Sequence, residues 1–247
     1  MFLEGGNVAV IIAQNGNDGG ACAADIGSVG AQLICNAKYL LHAGDEVGTI
    51  GLMEGILHCD PKVFQTSGEE GGGDESRTGQ IVDGVLAGDT EIIRDGNLVA
   101  GISDLVSASE LGTTPTGNGR RESYKRKAYS RMTNTFFDKG SDKLEDMIAS
   151  IKHGYMLFQT NNGMEDPKNW QIQCTAEYGI EIVDGKLTEN YVSPVVMSGS
   201  VPELLKSISM VSDEFKVIGS GGCGKGYKEW VRVADGGPHL KVRVKLA

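Results

Sequence analysis

Apolar and polar residues alternate strictly through residues 170–182 of this 247-residue chain. The apolar members are Trp170, Ile172, Cys174, Ala176, Tyr178, Ile180 and Ile182. A period of two predicts a strand with one buried face and one wet face, which is typical of antiparallel sheets. Asp184-Gly185 follows this strand, and Asp95-Gly96 separates two apolar runs earlier in the chain. Asp-Gly in this position is a strong hairpin signal, so the sequence predicts two antiparallel hairpins.

Two short amphipathic helices are predicted between the strands. Ser141 is placed to cap a helix over 141–155. Its apolar residues recur at helical spacing and are Leu144, Met147, Ile148 and Ile151. Ser200 precedes Pro202 and Glu203, which is the spacing of a capping box with proline near the helix start. Hairpins and capped helices predict an α+β fold with an antiparallel sheet or barrel-like core, since regular βαβ alternation is missing from the pattern.

Charge divides the chain into two parts. Residues 1–80 carry three basic and eleven acidic residues. Most of the chain's net charge of −10 therefore comes from this part. The segment 67–79 is acidic, rich in glycine and free of large apolar side chains, which predicts a surface loop. An acidic metal-binding loop is the alternative. We therefore predict a region of uncertain fold over 1–80, with one buried strand at 8–13, and a carboxy-terminal domain over 81–247.

Composition favours a soluble protein of the cytoplasm. Hydrophobic residues make up 40% and charged residues 23% of the chain, and no apolar run approaches the ~18–20 residues that span a bilayer. Five cysteines without a CxxC pair are expected to be free thiols in a reducing compartment. The negative net charge argues against a general nucleic-acid binder, which needs basic surface.

One glycine-rich stretch, GSGGCGKG at 219–226, imitates a phosphate-binding loop. Gly226 stands where that loop needs serine or threonine to hold magnesium, so ATP binding is not expected. Cys223 lies between two glycines, with Lys225 two positions further on. Glycine lets a ligand approach the backbone, and a nearby cation favours the thiolate that binds metal. The alternative is a tight glycine turn that holds an inert cysteine.

A basic segment runs from Arg120 to Arg131 and holds six basic residues in twelve positions, interleaved with Tyr124 and Tyr129. Arginine binds carboxylates and phosphates through two parallel hydrogen bonds. Peptide or carboxylate capture, a solvated loop and nucleic-acid binding all fit this composition, although the net charge opposes the last of them.

Several of these stretches together resemble one protein family. TPTGNGRRESY, RMTNTFF, HGYMLFQTNNG and SMVSDEFKVIGSGGCGKG...GGPHLKV are similar in order and spacing to the TldD/PmbA family, on its TldD side, over about residues 90–247. The resemblance implies a carboxy-terminal domain around an antiparallel barrel. It also implies a cytoplasmic zinc metallopeptidase, first described as a modulator of DNA gyrase. Such a protein works as a homo- or hetero-oligomer with a TldD/PmbA relative, for example as a heterodimer, and trims peptides or unfolded polypeptides.

The resemblance also implies a metal site. The family holds zinc with an HExxxH helix and the cysteine of the CGK loop, which corresponds to Cys223 here. The nearest string to HExxxH is LMEGILHCD at 52–60, in which Met53 replaces the first histidine. Glu54 would be the general base and His58 the second histidine, and the two would share one helix face at i, i+4. A chance MExxxH in an apolar run is the alternative.

Arg120 and Arg121 of the GNGRRES motif would position the peptide, by the same resemblance. Because methionine is a poor zinc ligand in place of imidazole, the metal motif is incomplete. The sequence therefore predicts one of two alternative functions. One is a zinc-dependent peptidase of reduced or lost activity, and the other is a non-catalytic, peptide-binding or regulatory partner in a TldD/PmbA-type heterodimer.

The composition break predicts where a protease will cut. Limited proteolysis of the native chain is expected to cleave within 67–79 first, since an acidic glycine-rich segment buries too little surface to resist. A stable carboxy-terminal fragment should then accumulate on a gel and be identified by mass. Preferred cleavage between 90 and 240, with 67–79 left intact, would show that the boundary is wrong.

Overall fold

The structure, a computed structural model, describes residues 7–12, 57–60, 83–86, 90–94, 97–166, 168–225 and 229–247. The strands of this part are β1 (Asn7–Ile12), β2 (Leu57–Asp60), β3 (Thr90–Arg94), β4 (Asn97–Leu98), β5 (Gly119–Arg120), β6 (Tyr129–Ser130), β7 (Asn134–Phe137), β8 (His153–Asp166), β9 (Gln171–Val183), β10 (Lys186–Val192), β11 (Val195–Ser200), β12 (Met210–Lys225) and β13 (Glu229–Leu246). The helices are α1 (Leu105–Leu111), α2 (Leu144–Ala149) and α3 (Val201–Ser207). No helix of the described residues is long and apolar enough to cross a membrane.

Five strands of the largest sheet pair in a ring. β8 pairs with β9, β9 with β11, and β11 with β13, all antiparallel. β13 also pairs antiparallel with β1, and β1 pairs in parallel with β8, which closes the ring. Closure gives each of these strands a neighbour on both sides along its paired segment. Fewer backbone N–H and C=O groups are then left at a sheet edge without a partner strand. The predicted α+β class with an antiparallel sheet or barrel-like core is confirmed.

A long ribbon extends from this ring. β12 pairs with β13 from Met210↔Lys241 to Lys225↔Glu229, with irregular register at two places. A second sheet has the strand order β4-β3-β2-β7, and β5 and β6 form a separate two-stranded ribbon. The ring of Phe136 in β7 packs edge-on against Phe215 of β12, with 5.2 Å between centroids. The second sheet therefore packs against the β12–β13 ribbon.

Both predicted hairpins are present. β9 buries Ile172, Cys174 and Ala176 on one face, as the alternation predicts. Asp184 and Gly185 have φ of 47° and 75°, and left-handed values at both central residues are typical of a type I′ turn. β3 and β4 pair with Arg94 opposite Asn97, which leaves the two-residue connection of the predicted hairpin. The turn at 95–96 itself lies outside the described residues.

The helices are shorter than the sequence predicts. α2 has Lys143, not Ser141, as its N-cap. The carboxylate of Asp142 accepts a hydrogen bond from the backbone N of Val211 at 2.8 Å, so the chain is held against β12 until just before the helix. Ser200 is the N-cap of α3 as predicted, but its side chain makes no capping hydrogen bond. Burial of the apolar face, rather than capping, therefore stabilises both helices.

The core lies on both faces of β1. Val10 and Ile11 are both fully buried, and they belong to different apolar clusters. Val10 packs into the larger cluster, whereas Ile11 packs into the cluster that contains Met147 of α2. The predicted buried strand near the amino terminus is thus confirmed. β1 and β2 also show that strands from before residue 80 take part in the folded core, while the domain boundary near 80 stays a prediction.

Close contact of the chain before α2 with β12 generates a stability prediction. A Cβ on Gly140 would lie 2.7 Å from the Cβ of Val211 and within clashing distance of its backbone. Gly140→Ala is therefore expected to lower the free energy of unfolding by about 1–3 kcal/mol, measured by urea denaturation. The matched control is Gly199→Ala in β11, where a Cβ meets nothing within 4 Å, and its effect should stay within about 1 kcal/mol. Equal effects of the two changes would contradict the prediction.

Candidate functional site

Cys223 is a buried residue of β12, only 8% exposed, and it pairs with Val231 of β13. The ladder continues on both sides of it, from Gly221↔Val233 to Lys225↔Glu229. The alternative of a tight glycine turn around this cysteine is therefore wrong. The extended backbone also differs from a phosphate-binding GxxxxGK motif, which forms a loop that leads into a helix.

Trp230 covers the strand next to Cys223. It is the cross-strand partner of Gly224, and a Cβ at Gly224 would lie 3.4 Å from the indole ring. The indole is about half exposed, so its other face is open to solvent. Because neighbouring residues of a strand point to opposite faces, Cys223 lies on the buried side and the indole on the exposed side.

A buried arginine contacts Cys223 from the basic segment. Nη2 of Arg131 donates a hydrogen bond to the carbonyl oxygen of Cys223. Arg131 is only 6% exposed, and its buried Nε has no acceptor among the described residues. Sequence reasoning assigned the substrate role to Arg120 and Arg121 and did not single out this residue. Its position next to the apolar run of RMTNTFF was the available signal that Arg131 points inward.

The GNGRR motif fixes the backbone of Arg131. β5 and β6 pair through Gly119↔Ser130 and Arg120↔Tyr129. Asn118, which is buried, accepts a hydrogen bond from the backbone N of Arg131 at 2.9 Å, and its side chain donates to the Arg131 carbonyl at 3.2 Å. Both backbone polar groups of Arg131 are thus satisfied, so the guanidinium is presented from a rigid ribbon.

The two arginines that the sequence singled out lie in different surroundings. Arg120 is half-buried, and its Nη1 donates to the carbonyl of Met132 at 2.6 Å, which joins the two arms of the β5–β6 ribbon. Arg121 is exposed at the start of the tip 121–127, where the neighbouring side chains are exposed as well. Their predicted contact with a peptide stays a prediction, with Arg121 the more accessible of the two.

The predicted HExxxH-like helix is wrong at His58. His58 lies in strand β2, where it pairs with Glu91 on one side and Phe136 on the other. Pairing on both sides requires extended backbone, so a shared helix face with Glu54 is not formed there. Met53 and Glu54 lie outside the described residues. The ligand role of His58 and the general-base role of Glu54 stay predictions.

His239 is buried but is not placed to reach Cys223. It lies eight positions beyond Val231, the partner of Cys223, which is about 26 Å of strand at ~3.3 Å per residue. Its Nδ1 lies 3.3 Å from the hydroxyl of Ser212 and 3.8 Å from a carboxylate oxygen of Glu214. His239 therefore has local partners at the other end of the β12–β13 ribbon.

The described side chains do not form a zinc site by themselves. Among them, no three histidine, cysteine, aspartate or glutamate residues come together as metal ligands do. A catalytic zinc usually has three protein ligands and one open position. The described side chains therefore supply at most two such ligands at one place, and a third must come from outside them.

Comparison with known proteins identifies the family. The model described as the PmbA/TldA metallopeptidase C-terminal domain matches residues 82–245, about two-thirds of the chain. The chain belongs to the PmbA/TldD family. A protein of Haemophilus influenzae named metalloprotease TldD homolog is 34% identical over 172 residues, which is 68% of this chain and 35% of that protein. A zinc metalloprotease TldD homolog of Saccharolobus solfataricus is 32% identical over 161 residues, 65% of this chain and 35% of that protein.

Solved structures of the family share the fold. The crystal structure of TldE from Thermococcus kodakarensis superposes with a TM-score of 0.71 at 21% identity, and it covers 99% of this chain and 51% of that one. A protein of Thermotoga maritima described as a modulator of a DNA gyrase gives 0.69 at 16% identity, with 100% and 51% covered. The chain thus spans about a third of the curated relatives and about half of the solved chains.

The environment of His239 predicts a pH dependence of stability. Burial lowers the pKa of His239 below its usual 6.5, and the nearby Glu214 only partly opposes this. The unfolded chain therefore takes up a proton here more readily than the folded chain, so stability is lost as pH falls below about 6.5. Urea denaturation should show a decline in the free energy of unfolding between about pH 7.5 and pH 5.5, and a shallower decline for His239→Gln. Equal slopes would show that His239 does not cause the loss.

Proposed function

We propose that this chain supplies the cysteine-bearing part of a TldD-type zinc peptidase that trims peptides or unfolded polypeptides. The supporting observation is Cys223, which is buried on the β12 ladder with the guanidinium of Arg131 held against its carbonyl. Relatives named metalloproteases cover the same part of the chain. A cytoplasmic location belongs to this proposal, because a free cysteine ligand needs reducing conditions.

The proposed ligands are Cys223 and His58, with Glu54 as general base and Arg120 and Arg121 as contacts for the peptide. Two protein ligands are fewer than a catalytic zinc site normally has, and the described residues add no third. Met53 offers only a thioether where the family has imidazole. The chain alone is therefore expected to hold zinc weakly and to cleave peptides slowly or not at all.

A non-catalytic partner subunit is the second function. The fold resemblance to TldE and the lack of a three-residue ligand group among the described side chains both favour it. In this role the chain would bind peptide or regulate a TldD/PmbA relative in a heterodimer. The two functions differ in one measurable property, which is whether zinc and activity depend on Cys223 of this chain.

Zinc content tests the role of Cys223. The purified chain is expected to bind zinc at least about a hundredfold more weakly than a full-length TldD relative, because ligands are missing. Cys223→Ser should remove the residual binding, measured by competition with a chromophoric chelator. The matched control is Cys174→Ser, which replaces the other buried free cysteine of the described part and should leave zinc binding unchanged.

Activity separates the two functions. Peptide cleavage is measured for the chain alone, for the relative alone and for their mixture. Cleavage that appears on mixing and is lost with Cys223→Ser supports the peptidase role, whereas an effect on mixing that survives Cys223→Ser supports the partner role. Stoichiometric zinc and rapid cleavage by the chain alone would contradict the incomplete site.

A further inference from the structure

The guanidinium of Arg131 is buried, and no carboxylate of the described residues pairs with it. Arg131 forms no ion pair with a carboxylate of the described residues; its one described acceptor there is the uncharged carbonyl of Cys223. A guanidinium cannot lose its proton, so it stays charged in this environment. Burying an unpaired charge costs several kcal/mol. An anion bound beside Arg131 would offset this cost.

The free donor defines the chemistry of that ligand. Nε is buried and has no acceptor among the described residues, while Nη2 is directed at the Cys223 carbonyl. A guanidinium presents its N–H groups in a planar fork that matches the two oxygens of a carboxylate. The net charge of −10 repels a dianionic phosphate more strongly than a singly charged carboxylate. A carboxylate is therefore the anion that fits best.

The position of Arg131 connects this ligand to Cys223. The donor lies against the backbone of the cysteine, and glycines flank the cysteine on both sides, so a ligand can come close to the strand. We infer that Arg131 binds a carboxylate of the peptide substrate beside Cys223. In so far as the ligand is a peptide, the inference rests on the proposed function. The carboxylate belongs either to the carboxy terminus of the peptide or to an acidic side chain.

Short peptides that differ only in this carboxylate provide the test. The metal-free chain, kept in a chelator, is titrated with N-acetyl-trialanine as the free acid and as the amide, and binding is followed by calorimetry and by the melting temperature. The free acid is expected to bind at least about tenfold more tightly than the amide. An amidated peptide with a central glutamate is the third probe, and its preference over the alanine amide would assign the carboxylate to a side chain.

Variants of the arginine show whether Arg131 is the cause. Arg131→Gln should reduce the preference for the acid to within about twofold, and Arg131→Lys should retain part of it, because lysine keeps the charge but not the planar fork. Arg126→Gln, an exposed arginine of the same segment, is the matched control and should keep the full preference.

Equal binding of the free acid, the alanine amide and the glutamate amide to the unmodified chain, or no response to any of them, would overturn the inference even if Arg131→Gln fails to fold. A preference that survives in folded Arg131→Gln would overturn it as well. Because metal is absent from these titrations, they are independent of the zinc measurements that test the proposed function.

Discussion

Pairing of β13 with three other strands is the constraint on which the rest of the structure depends. β13 pairs with β1 and β11 near its end and with β12 along most of its length. The first two pairings close the ring, and the third creates the ribbon that carries Cys223. β13 also contributes the buried aliphatic side chains of Leu240, Val242 and Val244 to the larger apolar cluster. Interruption of this strand would therefore disturb the apolar core and the site together.

Sequence patterns correctly predicted the elements whose contacts are between residues close together in the sequence. The alternation in β9 and the turn at Asp184-Gly185 involve neighbours in the sequence, so periodicity and turn chemistry were sufficient. The placement of β1 could not be predicted in the same way. Val10 pairs with Val242 at the other end of the chain, and no local signal specifies such a partner. The helix start at Leu144 was missed for a similar reason, since it depends on the contact between Asp142 and β12.

The candidate site likewise has features that the sequence predicts and features that depend on tertiary pairing. Sequence motifs located Cys223 and the basic segment, but six basic residues in twelve do not reveal which one is buried. That depends on the register of the β5–β6 ribbon and on Asn118, which together turn Arg131 inward and leave Arg121 exposed. The spacing of MExxxH fits a helix, yet His58 lies between two partner strands. Tertiary pairing therefore overrides the local spacing.

The glycine-rich end of β12 explains why an arginine is needed at this point of the fold. Elsewhere in the core, large side chains on neighbouring strands stabilise one another, but Gly222 and Gly224 offer no side-chain contact on either side of Cys223. Arg131 supplies a hydrogen bond from another element to this part of the strand. The same contact brings a fixed positive charge to the backbone of Cys223. One buried side chain can thus hold the strand and present a donor to an anionic ligand. This combination requires the basic segment and the CGK segment to occur together in one chain.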